Sequence, residues 1–340
     1  MVLNTERKVF MENQKKAYEV NRNYFSDIRK YEMSCRFLLL LTMAAIAVVL
    51  LLYRDFLAMQ KLIEPLYYYQ TERPVVEYLF RAITFLGDDE FYMIFLSVLL
   101  WSFHKSIGFW TAVVLLLSGS YTFYLKDYFA VPRPDFGIEQ PGNDAYPSGH
   151  TLTSFTVWGY LAVRLKSKPF WIWTIPLIIL MGFSRMILGY HFVADILAGL
   201  LYGFLFLALF VWISAIIVEK ELSKKLTFPA LLIISIAAPA ILTIFLPDDI
   251  TRLMGYLAGI SVGFVLEREK IRYITKTVWY KHVLRAILGV AVMFAIVAGL
   301  SGLLPSSITI AGFTRYAMAG FWVTFLAPFI FTRIGLAEKE

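Results

Sequence analysis

The chain has 340 residues, of which 59% are hydrophobic and only 17% charged, whereas a soluble domain carries about 45–50% apolar and ~25% charged residues. That excess is too large for one buried core beneath a polar surface, so a soluble protein and an intrinsically disordered one are both excluded. The formal net charge of +7 reads as basic cytoplasmic loops of a membrane protein, and no nucleic-acid partner is expected.

Residues 1–36 are polar and charged, with Phe10, Ala17, Tyr24, Ile28 and Tyr31 at roughly helical spacing. The pattern suits a helix lying on the membrane surface, and equally a solvated cytoplasmic tail. No cleavable leader is expected, and the first span serves as the insertion signal. The single cysteine, Cys35, excludes an intrachain disulfide and any thiolate metal cluster. Ten apolar spans are predicted, near 37–53, 89–104, 107–126, 148–165, 169–187, 191–218, 227–246, 251–266, 283–304 and 312–332. The stretch 54–88, with Tyr67–Tyr69 and Arg73-Pro74, is amphipathic and aromatic and is placed at the membrane interface. The fold class is therefore an all-α polytopic membrane protein of about ten transmembrane helices. A six-helix core occupies 37–218, and a four-helix C-terminal module of unknown role occupies 219–340.

Orientation follows from Lys and Arg. With the N-terminus inside, 22 of them fall in cytoplasmic segments and 9 on the opposite side, which puts both termini in the cytoplasm.

Three patches on the non-cytoplasmic side interrupt the apolar runs. Lys126 and Arg133-Pro134 follow the third span. Tyr146-Pro-Ser148-Gly149-His150 opens the fourth. Ser184-Arg185 ends the fifth, and His191 and Asp195 open the sixth. Ionisable groups at membrane depth are costly and mark function, although each patch alone also fits a structural role: a snorkelling lysine, a rigid loop, a helix cap. The topology brings all three to one face. Lys126, Arg133 and Arg185 supply three cations suited to phosphate oxygens. Ser148, Gly149 and His150 lie at a helix N-terminus, where free N–H groups favour an anion. His191 and Asp195 are four residues apart and share a helical face. Such a carboxylate fixes the imidazole tautomer and leaves the other nitrogen as a nucleophile; the pair also reads as a purely structural hydrogen bond. His150 is placed to act as general acid. No spare His or carboxylate group suggests a metal site, and neither metal nor cofactor is expected.

Lys126-x6-Arg133-Pro, Pro-Ser148-Gly149-His150 and Ser184-Arg185-x5-His191-x3-Asp195 resemble, without departure and in order, the three signatures of the type 2 phosphatidic acid phosphatase/haloperoxidase superfamily. The resemblance implies a membrane lipid phosphatase. His191 would form a phosphohistidine, with Asp195 its partner and His150 the acid. Lys126, Arg133, Ser148, Gly149 and Arg185 would hold the phosphoryl group. The run Ile83-Thr-Phe-Leu-Gly-Asp-Asp-Glu-Phe-Tyr92 is similar, more weakly, to bacterial members and to sphingosine-phosphate phosphatases. The expected partners are a lipid phosphate or lipid pyrophosphate substrate and the bilayer, with the site on the outer face of a bacterial plasma membrane. The rival readings are a lipid phosphotransferase and, from another class, a transporter or inactive scaffold.

In the C-terminal module Asp248 and Asp249 flank a loop, and Arg285 and Arg315 are read as lying near helix ends. Gly255, Gly259 and Gly263 recur at every fourth position. That small-residue face is suited to close helix packing, against a neighbouring span of the same chain or in a homodimer through the C-terminal helices.

Overall fold

In a computed structural model of the chain, residues 56–137, 144–219, 225–245, 250–305 and 309–340 are described. The N-terminal segment 1–36, the first expected span and the Asp248–Asp249 pair lie outside the described residues. The regular elements are helices: α1 (Phe56–Thr71), α2 (Pro74–Phe85), α3 (Asp89–Val98), α4 (Lys105–Phe129), α5 (Gly149–Leu165), α6 (Lys168–Ile187), α7 (Val193–Glu219), α8 (Phe228–Phe245), α9 (Thr251–Leu266), α10 (Trp279–Gly299), α11 (Thr309–Phe321) and α12 (Ala327–Arg333).

Helix occupies each of the nine later positions expected from hydropathy. Four helices are long and apolar enough to cross a membrane by length and composition: Lys105–Phe129, Lys168–Ile187, Val193–Ile217 and Trp279–Gly299. The shorter α-helical runs owe part of their brevity to π turns, which follow α3 at Leu99–Phe103, α9 at Glu267–Ile271 and α11 at Trp322–Leu326. The interfacial stretch is itself helical. α1 and α2 leave Tyr68, Tyr69, Val75, Tyr78 and Leu79 exposed and pack their other side on α6.

Local signals place the helix ends that matter. The His104 ring accepts the Ile107 N–H at 3.3 Å and caps α4, which then runs 25 residues to Ala130, left-handed at φ 47°. Ser167 caps α6 by accepting the Phe170 N–H. At the far end of α6, Gly189 takes φ +75°, the backbone region that only glycine enters without strain. The Tyr190 and His191 N–H groups turn back to the Arg185 carbonyl at 3.0 and 3.3 Å, so the chain reverses directly into α7.

α5 packs against α4, α6 and α7. One continuous core then joins this bundle to the C-terminal helices, with Tyr92, Trp101, Phe109 and Leu161 packed among residues that include Tyr256, Phe264, Trp322 and Phe331. Side chains fasten the π turns across that seam. A π turn widens the helix and leaves carbonyls reachable from the side. Tyr273 Oη donates to the Leu100 carbonyl at 2.7 Å, Arg285 Nη1 to that of Trp101 at 2.9 Å, and Trp101 Nε1 to that of Val323 at 2.7 Å. Arg285, read from sequence as lying near a helix end, is fully buried inside α10. It spends further donors on the Thr275 and Leu336 carbonyls.

The glycine stripe of α9 lies against α11 of the same chain. A Cβ at Gly255 would overlap the Phe313 carbonyl, one at Gly259 the Ala317 carbonyl, and one at Gly263 the Thr324 hydroxyl. Backbone thus meets backbone where any side chain would force the helices apart.

Overpacking of this kind costs about 1–3 kcal/mol. Gly259→Leu should therefore lower the thermal midpoint of the detergent-solubilised protein clearly. Gly302→Ala, at a glycine with nothing within 4 Å of a built Cβ, should leave it unchanged. An unshifted midpoint for Gly259→Leu would mean that α9 and α11 are not held at this separation.

Candidate active site

The loop after α4, the start of α5 and the α6–α7 turn converge on the site. His191 and Asp195 are 2% and 0% exposed. His191 Nδ1 lies 3.2 Å from Asp195 Oδ2, and the same carboxylate oxygen accepts the Phe192 N–H at 2.8 Å. The Asp195 carbonyl accepts the Ser148 N–H at 3.0 Å, which locks α7 to the start of α5. A carboxylate accepts only, so the neutral His191 carries its proton on Nδ1. The other ring nitrogen supports the same assignment independently. Arg133 Nη1 sits 3.3 Å from His191 Nε2, and a guanidinium can only donate, so Nε2 offers a lone pair. Burial first, then the Arg133, Lys126 and Arg185 cations, hold the His191 imidazole well below its ordinary value of 6.5. Burial likewise pushes the Arg133 guanidinium down.

The remaining expected residues gather around this pair. Arg133 also donates to the Tyr190 carbonyl at 2.9 Å. Arg185, 5% exposed, lies in the last turn of α6 with its guanidinium 4.4 Å from the centre of the Tyr190 ring. Its Nη1 donates to Thr84 Oγ1 at 2.8 Å, and its buried Nε has no partner among the described residues. A buried donor left unpaired is costly, and an anion would satisfy this one. Lys126, in the last turn of α4 and buried, donates to the carbonyls of Asp144 and Ala145. Ser148 is fully buried, and its hydroxyl accepts from Thr151 at 3.0 Å. A Cβ on Gly149 would lie 3.3 Å from Thr122 Cγ2 and 4.0 Å from Lys126 Cε, so the start of α5 lies beside the Lys126 stem. His150 points its Nε2 at Asp88 Oδ1, 2.8 Å away. His104 lies at the opposite end of α4 and His282 lies in α10.

Sequence reading gave no role to Thr84, Asp88, Tyr190 or Phe192. Thr84 and Asp88 were available as the turn entering Asp88-Asp89-Glu90, a carboxylate cluster at the mouth of an apolar run. Phe192 acts through its backbone N–H and Tyr190 through its carbonyl as well as its ring, and side-chain identity does not reveal the backbone contacts. Among the described residues no group of three or more His, Cys, Asp or Glu could hold a metal ion.

The cation cluster and the histidine–carboxylate pair thus meet at one buried corner of the helical bundle. Among family models, residues 107–218 match the PAP2 superfamily and residues 251–339 match the PAP2 superfamily phosphatase transmembrane extension. The chain belongs to the PAP2 superfamily, and it is a phosphoric-ester hydrolase acting on lipid phosphates. It is 24% identical over 318 residues to sphingosine-1-phosphate phosphatase 1 of Mus musculus, covering 76% of this chain and 73% of that one. It is 33% identical over 118 residues to an undecaprenyl-diphosphatase of Sulfolobus acidocaldarius, covering 34% and 52% respectively. A solved PAP2-type phosphatidylglycerolphosphate phosphatase from Bacillus subtilis superposes with a TM-score of 0.43 at 21% identity, over 55% of this chain and 97% of that one.

The depressed His191 titration has a readable consequence. A lowered value means that the imidazole stays neutral as pH falls through 6.5 and charges only in stronger acid. In nitrogen-edited NMR of histidine-labelled protein, with His191→Gln for assignment, the His191 signals should hold the Nδ1–H tautomer at pH 6. Protonation with a midpoint near the ordinary value would contradict the buried geometry.

Proposed function

We propose that the protein is an integral membrane lipid phosphatase that removes the terminal phosphate of a lipid monophosphate or pyrophosphate by double displacement through His191. The observation that carries this reading is the geometry at His191 Nε2. Asp195 holds the opposite ring nitrogen, and Arg133 Nη1 stands 3.3 Å from Nε2, a contact that an incoming phosphoryl group would replace by taking the guanidinium's hydrogen bond on its oxygens and leaving Nε2 facing phosphorus. Nε2 attacks phosphorus, the lipid oxygen departs, and water then hydrolyses the phosphohistidine. Arg133, Arg185 and Lys126, with the start of α5 at Ser148 and Gly149, stabilise the charge on the transferring group. His150 protonates the departing oxygen. The named activities of the similar proteins, on sphingosine 1-phosphate and undecaprenyl diphosphate, support a lipid alcohol as the leaving group.

The site is read as extracytoplasmic, with both termini in the cytoplasm of a bacterial cell. The 25-residue α4 spans about 37 Å at 1.5 Å per residue. It separates Lys126 from Lys105, which pairs with Glu267 at 3.1 Å close to the basic residues Arg268, Lys270 and Arg272. Positive charge of this kind collects on the cytoplasmic side.

His191→Ala should abolish phosphate release, and Asp195→Asn should lower it by roughly 10⁴-fold, the loss seen when a catalytic histidine loses its orienting carboxylate in a serine protease. A rapid acid-free quench with radiolabelled lipid phosphate should leave label on His191. Activity should persist in EDTA, since the three cations meet the oxyanion charge. Near-normal turnover by folded His191→Ala would sink the mechanism.

Sidedness has its own check. In a Cys35→Ser background, Tyr128→Cys, an exposed residue near the site end of α4, should react with an impermeant maleimide on intact cells. Lys276→Cys, in the basic loop before α10, should react only after lysis. Reversed labelling would move the site to the cytoplasmic face.

A further inference from the structure

The turn between α2 and α3 is built against His150. Gly87 leaves no room for a side chain, since a Cβ there would stand 2.8 Å from His150 Cδ2 and 3.0 Å from Met181 Sδ. Asp88 follows at the N-cap of α3, with the extended backbone of a cap (φ −79°, ψ 153°), yet its side chain caps nothing. An aspartate at this position ordinarily accepts a backbone N–H of the first turn. Here the carboxylate instead takes His150 Nε2 at 2.8 Å. The turn is anchored to the site a second time where Thr84 accepts from Arg185 at 2.8 Å. Two histidine–aspartate pairs therefore enter one cluster, His191 with Asp195 and His150 with Asp88.

We infer that Asp88 is a positioning residue for proton donation: it accepts the Nε2–H of His150, so that Nδ1 presents the proton to the departing lipid oxygen. The inference rests on the phosphatase reading above. In the first half-reaction His191 Nε2 forms the P–N bond as the P–O bond to the lipid breaks. That electron pair stays on the lipid oxygen, which takes the proton from His150 Nδ1. His150 is left neutral with its Nε2–H still on Asp88. In the second half-reaction water attacks phosphorus and yields a proton to His150 Nδ1. The P–N bond breaks, the pair returns to His191 Nε2, and inorganic phosphate leaves. Asp88 stays a carboxylate throughout. Its charge favours the imidazolium that must exist before each transfer, against Arg185 and Arg133, the cations that face the same ring, and His191 beyond them.

The test uses the purified full chain, with two substrates that differ in their need for a proton. An alkyl lipid monophosphate expels an alkoxide and requires the acid; p-nitrophenyl phosphate expels a stabilised phenolate and does not. General acid catalysis is worth roughly 10²–10⁴-fold. Asp88→Asn, which keeps the shape but loses the charge, should remove part of that factor, about ten- to a hundredfold in kcat on the lipid, and cost less than about threefold on the aryl ester. The alkaline limb of its pH profile on the lipid should move to lower pH. In a His150→Ala background Asp88→Asn should add nothing. The ratio of the two activities is independent of how much protein survives folding, so an unstable variant still gives an answer. Equal losses on both substrates, or a full additional loss in the His150→Ala background, would make Asp88 a structural tie and overturn the inference. If His150→Ala itself failed to discriminate between the substrates, the assignment of His150 as the acid would fall instead. Turnover by His191→Ala would remove the phosphatase mechanism altogether.

Discussion

Three cations packed into one corner of an apolar helical bundle set the terms for everything around them. Like charges at close range repel, and burial strengthens the repulsion by thinning the dielectric. The fold offsets this with fixed backbone. Lys126 and Arg185 both occupy the last turns of their helices, α4 and α6, where the negative end of the helix dipole favours a cation. Carbonyls of Asp144, Ala145 and Tyr190 accept from Lys126 and Arg133. The N-terminus of α5 points the opposite end of a dipole into the same space. The result is a buried cluster of positive charge in which, among the described residues, the Nε of Arg185 is a donor without a partner.

The neutral state of His191 follows from the same constraint. A second positive charge on the imidazole beside Arg133 is unfavourable, and full burial adds to the cost. Both effects keep the ring uncharged, while Asp195 fixes which nitrogen carries the lone pair. The residues that repel a proton from His191 are the ones that would draw phosphate toward it, so in the proposed mechanism binding and activation would share one electrostatic cause.

The cluster was legible in sequence because charge inside apolar runs is conspicuous, and all eight expected residues come together around it. Other features were hidden for physical reasons. Asp88 meets His150 across 62 positions, and beside Asp89 and Glu90 it reads as the ordinary acidic start of a helix. Hydropathy marks apolar runs but is blind to π turns, so the spans expected at 89–104 and 312–332 appear as shorter α-helices prolonged by widened turns. The glycine period of α9 announces a close-packing face without naming its partner. That partner, α11, lies beyond α10 in the chain, a long-range pairing that periodicity does not encode.

The C-terminal helices add no cation to the cluster, yet they fix one of its supports. α3 carries Asp88 at its N-terminus and ends in the Leu99–Phe103 π turn. That turn is held by Tyr273 and Arg285 through the Leu100 and Trp101 carbonyls, while Trp101 reaches Val323 and its ring seats on Gly289 of α10. The helix between the two ends buries Tyr92 and Leu96 in the core shared with α9 and α11, and Tyr92 Oη meets Ser154 of α5 at 3.2 Å. A short helix with one end in the phosphate cluster and the other bound to the extension has little freedom to slide. The C-terminal helices therefore brace α3, which carries at its other end the Gly87–Asp88 turn that meets His150.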